Sequence, residues 1–415
     1  MRLKVFRAGL SLLVALGFCN VSAFAQHATS APVVREIDSP AAPASAEPNL
    51  FAASDGRIFL SWVESTGDHH HALRFSVRKG GRWSEARTIA EGDNWFVNWA
   101  DFPSLVALED GSLVAHWMVK NGANAHAFNI QVARSADGGK TWSQPLVPHR
   151  DGTPTEHGFV SLLPLGQGRV GAVWLDGRRF EIKSGEHNPA NEMTLRYATI
   201  DRAGQLADEA MIDGRVCDCC QTAAAMTAEG MIIAYRDRTE NEIRDISVMR
   251  FANGQWTAPH TVHADGWELA GCPVNGPSIA AQGRRVAVAW FTGAKDTPRV
   301  NVSFANDAGA NFGPAVQVDT GQPIGRIGVL MLADGAALVC WLERTAQGGE
   351  IKARRVQADG TRDAAITIAQ ASVTRSSGLP RMARAGNEIV FAWTDANNPS
   401  RVHTAVMKTT ARKSK

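Results

Sequence analysis

The stretch Arg169–Arg178, RVGAVWLDGR, decides how the rest of the chain is read. Its run of small and branched apolar residues lacks polar alternation, as expected of a short strand covered on both faces. Gly168 stands just before it and supplies the positive φ that a tight hairpin requires. The same unit returns as RIFLSWVE (57–64), SLVAHWMVK (112–120), MIIAYRDR (231–238), RVAVAWFTG (285–293), AALVCWLER (336–344) and EIVFAWTDA (388–396). The aromatics Trp62, Trp117, Trp174, Tyr235, Trp290, Trp341 and Trp393 are separated by 55, 57, 61, 55, 51 and 52 residues. A period of this size marks a radial or solenoid array.

After each aromatic comes a variable loop, then an alternating strand such as FNIQVARS (128–135) or RVNVSFA (299–305), then a short fourth segment. Four strands per unit, too few to bury their own faces, predict an all-β, seven-bladed β-propeller of four-stranded antiparallel blades. The last unit has only three strands. APVVREID (31–38) is expected to supply its missing outer strand and close the ring, so that 26–46 forms the closing strand and linker and 47–409 the propeller. Residues 410–415 read as a disordered tail.

The N-terminus carries Arg2, Lys4 and Arg7, an apolar run, and then Ala23-Phe24-Ala25. This is the pattern of a signal peptide over 1–25 cleaved near Ala25, and it predicts a periplasmic or secreted protein. The 43 Lys plus Arg against 41 Asp plus Glu become 40 against 41 once those three charges leave. There is no basic stripe, which argues against a nucleic-acid partner. No later run is long and apolar enough to span a membrane. A monomer is expected.

SADGGKTW (135–142) fits the Asp-box pattern S-x-D-x-G-x-T-W, and FANDAGANF (304–312) is a decayed copy. With the tandem units, these residues resemble the sialidase-like (BNR, Asp-box repeat) β-propeller superfamily across essentially the whole mature chain. VCDCCQT followed by GCPVNGP is similar to an exported bacterial subgroup of it carrying a C-x-C-C motif. The resemblance implies that Asp137 and Trp142 serve the fold. It also implies an arginine triad, a Tyr–Glu nucleophile pair and an Asp acid/base in active members, where the Tyr nucleophile departs from the usual two-carboxylate glycosidase. EPNLFAASDGR (47–57) stands where the family's early Arg-Ile-Pro motif would lie. Tyr197, on a third strand, is expected away from the channel, and Tyr235 takes the place of a repeat Trp.

In such a ring, the loops leading into the innermost strands and those leaving the second strands share one face. Loops on a rigid scaffold are where function concentrates. Cys217, Cys219 and Cys220 lead into blade 4 and Cys272 into blade 5, so all four are expected at the channel mouth. Three readings stay open for them: disulfides, which an oxidising compartment favours; a soft metal, Cu(I) or Zn(II), which thiolates select; or a redox thiol. Arg215 beside them would lower a thiol pKa. Cys340, inside a strand, reads as buried and inert, and Asp68–His71 (DHHH) as a solvated loop.

Should the protein be an enzyme, the catalytic candidates are Asp237 with Arg236, Arg238 and Tyr235, and Asp176 with Arg178. Acids around one channel supply general acid/base pairs. Trp99, Asp101, Arg215, Asn275 and Arg326 are candidates to bind a small-molecule or sugar ligand. The acids recurring two residues after the aromatic (Glu64, Asp176, Asp237, Glu343, Asp395) are also expected to tie their own loops. Three functions therefore compete: a ligand- or soft-metal-binding propeller, an exo-sialidase-type hydrolase of acidic sugars, and a protein-interaction platform stapled by disulfides.

Overall fold

The seven apolar stretches each become the second strand of a separate antiparallel sheet. The computed structural model describes Met1 and residues 32–180 and 192–409. The expected signal peptide and tail, and part of the loop after Asp176, lie outside the described residues.

Blade 3 shows the full pattern: His157–Gly166, Arg169–Asp176, Met193–Ile200 and Leu206–Val216, paired in that order. Blades 5 and 6 repeat it. In blades 1 and 4 the outer strand is broken into two short pieces. In blade 2 it shrinks to the single bridge Val132–Leu146. Blade 7 is closed as expected: Val34–Ile37 pairs antiparallel with Arg401–Lys408, Val34 opposite Met407 and Ile37 opposite Thr404.

The second strands are buried almost throughout because each lies mid-sheet between two neighbouring blades. Apolar clusters fill every gap between blades; Leu175, Tyr197 and Tyr235 pack between blades 3 and 4, for example. Four repeat tryptophans carry a polar tether. The indole N–H of Trp62 donates to Glu64 (2.8 Å), that of Trp174 to Asp176 (2.9 Å) and that of Trp341 to Glu343 (2.5 Å). In blade 5, where Thr292 replaces the acid, Trp290 turns to Asp265 (2.6 Å). Residues i and i+2 share one face of a strand, so in blades 1, 3 and 6 the acid satisfies the aromatic of its own blade.

The Asp-box turn is held by its aspartate. Asp137 accepts hydrogen bonds from the Ser135 and Thr141 hydroxyls and from the Lys140 and Thr141 amides. Trp142 packs edge-on against Phe75. Asp307 makes the same turn with the Ala310 and Asn311 amides, so the decayed copy keeps its geometry.

Candidate functional site

The loops that lead into the innermost strands meet across the ring axis. Gln221, before blade 4, donates to the Ala100 carbonyl before blade 2 (2.7 Å) and accepts from the Gly276 amide before blade 5 (3.0 Å). Asn275 accepts from the Arg326 amide of blade 6 (2.8 Å) and donates to the Ile324 carbonyl (3.1 Å). The Arg326 guanidinium lies 4.8 Å from the Trp99 ring and donates to Ser377 and to the Thr374 and Gly378 carbonyls. Innermost strands bulge here: Glu47, Phe159 and Arg326 have φ of 56°, 54° and 56° beside register shifts. Bulges of this kind re-aim a side chain.

Of the five expected ligand-binding residues, Trp99, Asn275 and Arg326 are brought together as members of this latch. Asp101 is buried nearby; one of its oxygens accepts from the Phe159 amide (2.7 Å) and the other has no partner. Burial pushes the carboxyls of Asp101 and Glu47 well above the ordinary range, and the Asp101 charge raises Glu47 further. Arg215 is half-buried and stands apart from the latch on the last strand of blade 3.

The cysteines converge beside the latch. Cys217 is anchored by its amide, which donates to the Arg236 carbonyl (3.0 Å), and by the neighbouring Val216–Asp237 bridge. Its sulfur lies 3.6 Å from Cys220 Sγ and 3.8 Å from Cys219 Sγ. The donor atoms of all three lie within 4.8 Å of one another. Cys217 and Cys220 are 1% and 2% exposed. Cys272 is exposed, and its sulfur is 3.6 Å from Asp218 Oδ1. Among the described residues no sulfur pair is bonded; a disulfide requires about 2.05 Å. Three thiolates on one ion with bonds of about 2.3 Å stand about 3.8 Å apart in a tetrahedral arrangement. The 3.6 and 3.8 Å separations lie close to that edge and somewhat below the roughly 4.0 Å of a planar three-sulfur set.

Arg244 holds the cluster from beneath. Fully buried, it donates to Cys217 Sγ (3.1 Å), Asp218 Oδ1 (3.3 Å) and Glu242 Oε2 (2.9 Å). Arg238 grips the same Glu242 with two nitrogens. Burial pushes the Cys217 thiol up, but S–H donors from Cys219 and Cys220 and the charges of Arg244 and Arg236 overcome it and hold the thiol well below its usual range. The contacts with Cys217, Cys220 and Cys272, then burial, push Cys219 up. Burial and then the Cys217 contact push Cys220 up. The cluster therefore places its most acidic sulfur, Cys217, against a guanidinium.

The expected catalytic residues are placed less openly. Arg236 is 2% exposed, and its guanidinium donates to the carbonyls of Asn275, Arg244 and Phe291 while lying 4.9 Å from the Trp267 ring. It ties blade 4 to the Cys272-bearing loop and has no donor turned to the channel in these contacts. Tyr235 is 1% exposed and donates to Asp213 Oδ2 (2.5 Å). Burial, followed by the Asp213 and Asp237 charges, pushes its phenol far up. Both side chains are engaged in contacts within the fold. Asp176 is fully buried between Trp174 and Arg178, in the same tethering role. Asp237 is half-buried; burial and then the Asp213 charge raise its carboxyl to about 6.

Several neighbours escaped sequence reasoning because their partners come from other blades. Asp213 meets Tyr235 of the next blade. Glu156 lies 3.6 Å from His126; its carboxyl is raised by burial, with the Asp218 charge adding to the rise. His149 and His157 stack with ring centroids 3.7 Å apart and share Asp151. His149 Nε2 accepts from the Ile130 amide, so Nδ1 carries the proton that goes to Asp151. That tautomer leaves Nδ1 without a lone pair for an ion. Cys340 is fully buried, with its thiol pushed up to about 12 by burial, as its inert reading requires.

No protein-family model and no curated protein matches the sequence. Among solved structures, the fold is similar to a mutant NanB sialidase from Streptococcus pneumoniae, at 10% identity and a TM-score of 0.46 over 91% of this chain and 94% of that one. It is also similar to an α-L-arabinofuranosidase from Fusarium graminearum, at 12% identity and a TM-score of 0.49 over 89% and 98%. A third is the intramolecular trans-sialidase from Ruminococcus gnavus, at 12% identity and a TM-score of 0.45 over 87% and 94%. Likeness at this level concerns architecture alone. The chain folds as a seven-bladed β-propeller, carried by its own seven sheets. Among the described residues, no helix is long and apolar enough to cross a membrane.

Proposed function

We propose that the protein is an exported, sialidase-like propeller whose channel mouth holds one soft metal ion, Cu(I) before Zn(II), on Cys217, Cys219 and Cys220. The observation that carries this reading is the pair of sulfur separations, 3.6 and 3.8 Å, about one sulfur that already faces a guanidinium. An all-sulfur set of three suits Cu(I), whereas structural zinc takes four ligands. Arg244 offsets part of the negative charge that three thiolates place in a buried site, a requirement for any buried charge. Export also bears on the choice. Free thiols in contact oxidise readily in the periplasm, and ligation to a metal protects them.

The hydrolase reading is less favoured, since Arg236, Tyr235 and Asp176 hold other parts of the protein. The disulfide-stapled platform has no bonded sulfur pair among the described residues to support it. Metal analysis and thiol titration of protein matured through export, without its signal peptide, test the proposal. One metal per chain is expected, lost in Cys217→Ser and Cys220→Ser and kept in Cys340→Ser. A metal-free chain in which the three loop thiols are oxidised in pairs would overturn it.

A further inference from the structure

Cys219 belongs to two donor sets. It shares one with Cys217 and Cys220, and a second with Asp218 and Cys272, whose donor atoms also lie within 4.8 Å of one another. The two sets differ in access: Cys217 and Cys220 are buried, Cys219 is half-buried, and Cys272 is exposed. They also differ in chemistry, since the outer set replaces a thiolate with a carboxylate, a poor ligand for a soft ion. The Arg244 guanidinium reaches both, touching Cys217 Sγ at 3.1 Å and Asp218 Oδ1 at 3.3 Å with one nitrogen.

We infer that Asp218, Cys219 and Cys272 form an outer capture station through which Cu(I) is loaded onto the inner triad. The inference rests on the resident-metal reading above. A soft ion passes between thiolates without being released when the incoming sulfur bonds before the outgoing one leaves. This requires sulfurs no more than about two bond lengths apart, roughly 4.6 Å for metal–sulfur bonds of about 2.3 Å. The shared Cys219, whose sulfur lies within 4.8 Å of those of Cys272, Cys217 and Cys220, is placed to take it.

The exchange balances without any oxidant or reductant. Cu(I) arrives on the thiolate of an external donor. The Cys272 sulfur loses its proton and bonds to the ion, and the donor thiolate leaves with that proton. Cys219, deprotonating to the solvent, then binds the ion and remains bound as Cys217 and Cys220 complete the inner set. Cys272 dissociates and takes up the proton that Cys220 gives up on binding. Copper stays Cu(I) throughout. The donor is thus a thiol-borne Cu(I) carrier, and the exposed Cys272 is the residue that meets it.

The loop bearing Cys272 is positioned for this role. Trp267 and Gly266 donate their amides to Asp245, Leu269 donates to the Glu242 carbonyl, and the Asn275 carbonyl accepts from Arg236. Cys272 lies between these anchors, so its loop is held at both ends beside Asp218.

The test follows transfer of Cu(I) from glutathione to the mature full-length protein by stopped-flow absorbance. Final affinity is measured by competition with bathocuproine disulfonate. Cys272 is exposed, so Cys272→Ser should fold as wild type does. It is expected to load about tenfold more slowly while final stoichiometry and affinity stay within about twofold, a smaller change than losing a true ligand gives. Asp218→Asn is expected to slow loading by a smaller factor. Wild-type rates in Cys272→Ser, with copper still bound by the wild-type chain, would overturn the capture station and leave the inner site standing. A loss of final affinity in Cys272→Ser equal to that in Cys217→Ser would make Cys272 a resident ligand and also overturn it. A wild-type chain that takes up no Cu(I) would overturn the resident site and this inference together.

Discussion

At the scale of single residues, Arg244 is the side chain on which most depends. It is fully buried and joins Cys217, Asp218 and Glu242. Removing it leaves a thiolate and a carboxylate without their cation, a change that typically costs about 3–5 kcal/mol. Arg244→Ala is therefore expected to unfold at markedly lower denaturant, with the Cys217 thiol titrating higher in a pH series of alkylation rates. Unchanged rates would contradict the assigned contact. Asp237 gives a second residue-scale expectation. Its folded pKa of about 6 lies above the ordinary 3.8 because of burial and then the Asp213 charge. A raised carboxyl pKa contributes stability that is complete below the unfolded value and lost as pH rises through the folded one. Stability should thus fall by on the order of 3 kcal/mol in all, most of it between about pH 4 and 6, and Asp237→Asn should flatten that slope. A slope unchanged in the variant would contradict it.

The cysteines' convergence was legible at this scale, because the repeat placed Cys217 and Cys272 in equivalent loops of adjacent blades. Arg244, Asp213 and Glu156 were not singled out as site residues. Each acts on a partner from another loop or blade, and spacing along one strand carries no signal of that. The inward contacts of Tyr235 and Arg236 were not legible for a related reason. A charged or aromatic residue at a strand end reads the same whether it turns to the channel or into the next blade.

At the scale of elements, the aromatic and the acid two positions later form a unit within one strand. The sequence showed the recurrence and predicted that the acids tie down their surroundings. That the tie is to the indole N–H follows only from strand geometry. Trp341 is 1% exposed and Glu343 4%, so Glu343→Leu leaves a buried N–H without an acceptor. The expected loss is about 1–3 kcal/mol in equilibrium unfolding, with Glu343→Gln retaining most of the stability. Equal losses in the two variants would show that the indole bond is not the cause. The Asp-box turn is similar: its residues were legible because one aspartate serves amides and hydroxyls within four residues.

At the scale of the molecule, the ring depends on one pairing between distant ends of the chain. Val34–Ile37 completes the blade built from Arg381–Ala385, Glu388–Asp395 and Arg401–Lys408. Removing residues through Ile37 leaves the outer edge of blade 7 unpaired and exposes apolar surface. The truncated chain is expected to melt well below the full mature one in scanning calorimetry; equal midpoints would contradict the role of the closure. This much was legible, because six similar intervals and a three-stranded last unit leave one place for the orphan strand. The latch across the axis, from Gln221 to Ala100 and Gly276 and from Asn275 to Arg326, was not. It joins blades far apart in sequence and gives the cysteine loops a rigid floor.

The account's central claim is that this floor presents three sulfurs to one ion. X-ray absorption at the metal edge of the loaded mature protein tests it most directly. The account predicts a shell of three sulfurs at about 2.3 Å, reduced in Cys220→Ser. A shell of oxygen and nitrogen alone, or a cluster whose sulfurs are bonded to each other at about 2.05 Å, would contradict it.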